Sequence, residues 1–330
     1  MSIHYSFDKN MILELCCENI ESVEAAVLGG GNRIELCRNL EVGGLTPDRE
    51  LTRQAVKCCH EGGLSVQVLI RSRGGDFVYT DDEVEQMAED IRMAIIDEKA
   101  DGIVIGALTK EGDIDLEACR KWMDMVRQPD GTFSCEVTFH RAFDRCRNPM
   151  EAIEQIAAMG CVRMLTSGQQ PTAEEGIPLL RQLVEKAKEL SVKYGHPFNI
   201  LCGSGVTEVS APIILQATGA TEIHGSLRTG RATDVEKVKK VMAFMAEQYI
   251  SHCETLRIAK QAYEAGSYST SFELLESLAH YIVSSKAAQE LSPTHLEELR
   301  EGIKQSLAQF TTCKDEALWE EASELYESVR

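Results

Sequence analysis

Two copies of one tripeptide, Glu14-Leu15-Cys16 and Glu35-Leu36-Cys37, each end a short apolar run that reads as a β-strand. Residues two apart on a strand face the same way, so each copy presents a carboxylate and a thiol side by side while its Leu faces the other way. If the two strands are parallel neighbours, two thiols and two carboxylates converge at one end of a sheet. Neighbouring strands lie about 4.8 Å apart, close enough for Cys16 and Cys37 to hold one soft ion between them. Two thiolates favour copper(I). The competing reading is two simply buried cysteines, and strand stagger in a barrel can place similar sequence positions at different heights.

Other segments carry acid–base and anion-binding groups. His140-Arg141-Ala142-Phe143-Asp144 combines an imidazole, a guanidinium and a carboxylate. Set against Glu14 or Glu35, His140 is a candidate general acid or base, with Asp144 in support. A buried histidine satisfied by a carboxylate would leave the same sequence. The loop Arg71-Ser72-Arg73-Gly74-Gly75-Asp76 suits closure on an anion, or local Arg–Asp pairing in solvent. Gly203-Ser204-Gly205 reads as a strand-to-helix turn whose backbone amides could cradle an oxyanion, unless its glycines serve only the turn. Ser167, Gly168 and His224 fall at neighbouring strand ends and join Arg71, Arg73, Gly203, Ser204 and Gly205 as the candidate anion site.

These residues need a scaffold, and the chain alternates strand-like and helix-like stretches with a regular period. Strands are expected at residues 11–16, 33–37, 64–71, 102–108, 135–140, 162–167, 198–203 and 221–226. Helix starts are marked between them. Thr46 reads as a cap with Pro47 at the first helical position, and Thr80-Asp81-Asp82-Glu83 is a capping box. Asp115 opens 116–126, Asn148-Pro149 opens 150–159, Thr172 opens a run to about 194, and 235–249 supplies the eighth helix. Eight βα units predict an α/β protein of (β/α)8 TIM-barrel type, in which chemistry sits at the carboxyl ends of the strands. Those ends are polar here. Glu136, Thr138 and His140 share a face, as do Glu222, His224 and Ser226, which carries the polar layer into the barrel. The barrel is expected over residues 1–250. An all-helical C-terminal extension is expected over 251–330, with helices near 253–264, 268–288, 295–310 and 315–328. Within it, Ala259, Tyr263, Tyr268, Phe272 and Leu275 loosely follow a helical-hairpin repeat.

The bulk numbers bound the partners. A net charge of −19 repels nucleic acid and anionic membrane surfaces, leaving a small anion held by local arginines. The first residues, Met1-Ser2-Ile3-His4-Tyr5-Ser6, lack a signal-peptide pattern, and no window has the length of a membrane span. Twelve cysteines spread over the chain without a C-x-x-C pair suit a reduced, cytoplasmic protein rather than a structural zinc site.

Taken together, Arg33-Ile34-Glu35-Leu36-Cys37, Gly43-Gly44-Leu45-Thr46-Pro47, Ile70 through Phe77, Val137 through Asp144 and Leu165-Thr166-Ser167-Gly168 resemble the CutC family, named for copper homeostasis. The resemblance spans roughly residues 12–230. It implies a (β/α)8 barrel, a homo-oligomer, and copper binding through the cysteines that match Cys16 and Cys37. Two positions depart from the family pattern: Gln169 stands where a second Gly follows Thr-Ser-Gly, and Leu227 where a small residue follows Gly225-Ser226. Both adjoin the candidate anion pocket. The expected function is cytosolic copper(I) binding through strand-end cysteines. The alternative is a barrel enzyme using isomerase- or lyase-type acid–base chemistry on a small anionic or phosphorylated sugar-like metabolite.

Overall fold

A computed structural model describes residues 11–264, 268, 271–272, 274–276, 278–279, 293–310, 322 and 325–327. Eight parallel strands close into a barrel in sequence order, each bonded to the next and the last to the first. The strands are β1 (Ile12–Cys17), β2 (Arg33–Leu36), β3 (Ser65–Leu69), β4 (Gly102–Ile105), β5 (Glu136–Phe139), β6 (Arg163–Thr166), β7 (Asn199–Gly203) and β8 (Glu222–Gly225). Helices α1 (Ile20–Gly29), α2 (Arg49–Gly62), α3 (Asp81–Arg92), α4 (Leu116–Met125), α5 (Pro149–Met159), α6 (Ile177–Tyr194), α7 (Ser210–Thr218) and α8 (Val235–Glu264) alternate with them. A two-stranded hairpin, β9 (Arg228–Thr229) with β10 (Ala232–Thr233), follows β8.

The alternation along each strand sorts side chains between two surroundings. Leu13 and Leu15 on β1, Ile34 and Leu36 on β2 and Val66 and Val68 on β3 are fully buried, forming the apolar layer beneath the helices. The residues between them point inward and are largely polar. Ion pairs join strands that are not neighbours: Arg33 on β2 reaches Glu222 on β8, and Arg163 on β6 meets Glu222 at 3.1 Å. Arg33 also pairs with Glu14, Arg163 with Glu136 at 2.9 Å, and Gln67 Nε2 donates to Glu136 at 3.0 Å. A layer of paired charges therefore fills the barrel interior where most barrels stack aliphatic side chains.

Several caps stand where expected. Thr80 and Glu83 form the reciprocal capping box, and Asp115 and Asn148 accept from Ala118 and Glu151 amides. Thr46 does not cap α2. Asp48 does, accepting from the Leu51 amide at 2.9 Å, because the Thr46 hydroxyl is committed to the Arg71 backbone. Likewise α6 begins at Ile177 rather than near Thr172. Strands β3 and β4 stop before 71 and 108, because the chain there leaves the ladder for site loops: the Leu108 amide bonds Phe77 O.

The C-terminal helix of the barrel, α8, runs on past the break expected near 250. Residues 249–253, Tyr-Ile-Ser-His-Cys, contain neither Gly nor Pro to stop it. Compact units divide at Ile12–Met242 on one side, with Ala243–Arg330 in the other. The latter has its own apolar core, which includes Ala259, Phe272, Leu275, Leu278, Ile303 and Leu307, and its helix Pro293–Gln309 matches the expected 295–310. Tyr263 and Phe310 stack edge-on with centroids 5.0 Å apart. Of the other expected tail helices, 268–288 and 315–328, the parts within 281–292 and 311–321 lie outside the described residues.

Candidate functional site

At the carboxyl end of the barrel, β1 and β2 pair with Glu14 opposite Arg33 and Cys16 opposite Glu35. The register is offset by two residues from an alignment of the two Glu-Leu-Cys copies, yet the thiols still meet. Cys16 Sγ lies 3.9 Å from Cys37 Sγ and 3.7 Å from Glu35 Oε1. On the other side of β1, Glu14 is opposite His224 of β8, and His224 Nδ1 bonds Glu14 Oε1 at 2.8 Å. One ligand atom each from Cys16, Glu35 and His224 falls within 4.8 Å of the others, and all three residues are buried. Leu69, Val104 and Leu40 pack around the two thiols and keep their surroundings apolar.

The electrostatics follow from this crowding. Hydrogen bonding to Cys37, then burial, holds the Cys16 thiol well above its ordinary range. Burial raises Glu35. Burial opposes charge on His224, but Glu35, Cys16 and Glu14 outweigh it and lift the imidazole well above its usual value. Burial likewise opposes charge on Glu14, and there Arg33 and His224 prevail, bringing the carboxyl to about 2. With Nδ1 held by Glu14, the ring nitrogen left for the Cys16 side is Nε2. Glu35 Oε2 is buried and has no hydrogen-bond partner. A thiol, a carboxylate oxygen and an imidazole nitrogen thus stand together, the imidazole braced from behind by a carboxylate. Such an outer carboxylate is the usual support of a metal-binding histidine.

These groups open onto a cavity of about 290 Å³. Its wall includes Cys16, Glu35, Arg71, His140, Ser204, Gly205 and His224, so seven sequence-predicted residues converge there. Cys37 lies behind Cys16, and Glu14 is sealed beneath His224. Gly203 ends β7 at the wall's edge, where a Cβ would meet Leu165 at 2.6 Å. Four candidates are engaged elsewhere. Asp144 accepts from the Ser167 amide and hydroxyl, the Thr166 hydroxyl, the Gln169 amide and Arg141, which binds the β6 turn together and occupies Ser167. Gly168 closes that turn, its amide donating to Thr166 Oγ1 at 2.9 Å. Arg73 pairs with Glu83 at 2.5 Å and Asp76 at 3.0 Å, away from the cavity wall.

His140 occupies a special position. Its Nδ1 accepts the Ala142 amide at 3.1 Å, capping a 3-10 turn, and burial with the nearby Arg71 charge brings its pKa to about 3. Gly106 makes the room: a Cβ there would stand 2.5 Å from His140 Nδ1. The ring is therefore neutral at ordinary pH, with its proton on Nε2.

The supporting ion layer of Arg33, Arg163, Glu136 and Glu222 lies outside the candidate residues of the sequence. Its signal was present, since Arg33 and Glu222 precede Glu35 and His224 by two residues on the same inward faces. The two family departures also have a physical basis. Gln169 and Leu227 have left-handed backbones, φ 58° and 43°, where a glycine or small residue fits best. Gln169 compensates by donating from Nε2 to Cys146 O at 2.8 Å and Phe143 O at 3.2 Å.

Fold and site together define a (β/α)8 barrel protein with a buried thiol–carboxylate–imidazole cluster at its mouth. The chain belongs to the CutC family, whose model matches residues 11–229. It is 42% identical over 223 residues to the human copper homeostasis protein cutC homolog, covering 67% of this chain and 74% of that one. A CutC family protein of Pasteurella multocida (strain Pm70) is 41% identical over 225 residues, covering 68% and 85%. The crystal structure of CutC from Streptococcus agalactiae superposes with a TM-score of 0.59 at 34% identity, covering 66% of this chain and 98% of that one. Among the described residues no helix is long and apolar enough to cross a membrane.

Proposed function

We propose that this protein is a copper homeostasis factor that binds copper(I) at the barrel mouth. The observation that carries the reading is the meeting of Cys16, Glu35 and His224 within 4.8 Å, with the Cys37 thiol 3.9 Å from Cys16. Thiolates are the soft ligands that favour copper(I), and imidazole suits copper as well. The two sulfurs are closer than twice a metal–sulfur bond of about 2.3 Å, so they define a bent site with a face open to a third donor. His224 Nε2 and the unpartnered Glu35 Oε2 are the candidates for that face. The Cys16 thiol is held protonated in the free protein, so binding there releases a proton and tightens with pH. A reducing cytosol, where copper(I) persists, is the setting this reading requires. The name of the human relative, a copper homeostasis protein, agrees with it, whereas the enzymatic alternative loses support at His140, which is fixed as a hydrogen-bond donor rather than poised to exchange protons.

The test is an anaerobic competition titration of reduced protein against a chromophoric copper(I) chelator. One equivalent should bind tightly in the wild type, and Cys16→Ser should lose roughly two orders of magnitude or more in affinity. Weak binding, or binding indifferent to Cys16, would remove the cluster as a copper site.

A further inference from the structure

Beyond the thiols, the cavity wall holds donors that the metal reading does not use. Arg71 is 5% exposed, yet among the described residues no carboxylate lies within ion-pair distance of it. Its Nη groups donate to the carbonyls of Val42, Gly44 and Gly75 at 3.0–3.1 Å, its face rests 4.8 Å from the Phe77 ring, and its buried Nε has no acceptor. A guanidinium taken out of water without a counter-charge is unfavourable, so it marks a place where an anion is stabilised. Beside it, His140 is 4% exposed and its Nε2 also has no partner. Because Nδ1 is occupied by the Ala142 amide, that unpartnered atom is an N–H donor.

The turn after β7 contributes a third set. Among the described residues no acceptor meets the backbone amides of Ser204, Gly205 and Val206, all of which line the same cavity. Ser204 holds φ +92° and Gly205 φ +66°, so the turn has left both strand and right-handed helical geometry and its amides lie outside any ladder. Arg228 adds positive charge at the rim, although it also pairs with Glu18. A chain of net charge −19 thus concentrates cationic and donor groups in a single pocket.

We propose that the cavity binds a small metabolite through its oxyanion, with Arg71 as the counter-charge and the His140 Nε2–H and the Ser204–Val206 amides as donors. A volume of about 290 Å³ lies at the low end of small-molecule pockets and fits a compact phosphate ester or hydroxycarboxylate. None of these donors is a metal ligand, although Cys16, Glu35 and His224 stand on the wall of the same cavity.

The test is calorimetric titration of the full chain, kept metal-free by a copper chelator, with inorganic phosphate, glycerol 3-phosphate, malate and glycerol. At least one anion should bind with a dissociation constant of about 1 mM or tighter while glycerol does not, and the anion that binds tightest identifies phosphate or carboxylate as the recognised group. Arg71→Met should weaken that anion roughly ten- to hundred-fold, the worth of a charge-assisted hydrogen bond. Arg71 also ties three loop carbonyls, so a second variant is needed; His140→Phe keeps a ring, removes the donor and should weaken binding roughly ten-fold. No binding by any anion up to about 10 mM, or affinities unchanged in His140→Phe, would overturn the site. Since copper is absent throughout, failure here leaves the copper titration untouched.

Discussion

Glu14 never reaches the cavity, yet it governs the residue that does. It holds His224 Nδ1 at 2.8 Å and is itself pinned by Arg33, so it fixes which imidazole nitrogen faces Cys16. Glu14→Gln keeps the shape but removes the charge, and copper(I) affinity should fall about 10- to 100-fold by chelator competition. The same variant has a pH signature. The folded carboxyl sits at about 2 against an ordinary 4.5, so its contribution to stability is present above 4.5 and is lost as pH falls from 4.5 toward 2. Urea midpoints measured across that range should drop less steeply in Glu14→Gln than in the wild type, whereas equal slopes would show that the charge contributes nothing. The inward carboxylates, thiols and imidazoles were legible from period-two spacing alone. Their pairing was not, because partners such as Arg33 and Glu222 come from strands 189 residues apart in sequence.

The elements were legible wherever local chemistry decides them. The Thr80 box and the Asn148-Pro149 start depend on residues within one turn, and they formed as expected. Thr46 lost its cap role to a tertiary hydrogen bond with the Arg71 backbone, which no local pattern encodes. Asp144 offers a second case: it looked catalytic from its neighbours, but it accepts five hydrogen bonds or ion pairs from the β6 turn and Arg141 and shapes an element instead. Gly168 closes that turn at φ +68°, and a Cβ there would stand 2.5 Å from Gly176 O. Gly168→Ala combines left-handed strain with a backbone clash and should destabilise the protein by about 2 kcal/mol or more in chemical denaturation. A change under about 0.5 kcal/mol would show that the turn relaxes freely.

At the scale of the whole molecule, the barrel separates two tasks between its layers. An apolar layer under the helices supplies cohesion, and the interior ion layer of Glu14, Arg33, Glu136, Arg163 and Glu222 forms a floor for the polar mouth. With Glu136 half-exposed at its edge and the other four members buried, this layer is weak evidence for stability but holds side chains in one arrangement, which keeps the polar mouth ordered. Eight regular βα units made the barrel legible from sequence. The extent of α8 was less so, since nothing in residues 249–253 signals either a stop or a continuation. The central claim is that copper(I) sits between the first two strands and the eighth, and X-ray absorption at the copper edge of the singly loaded, reduced protein addresses it most directly. The account predicts two sulfur scatterers from Cys16 and Cys37 with one nitrogen or oxygen from His224 or Glu35. A coordination shell without sulfur, or one unchanged in Cys16→Ser, would contradict it.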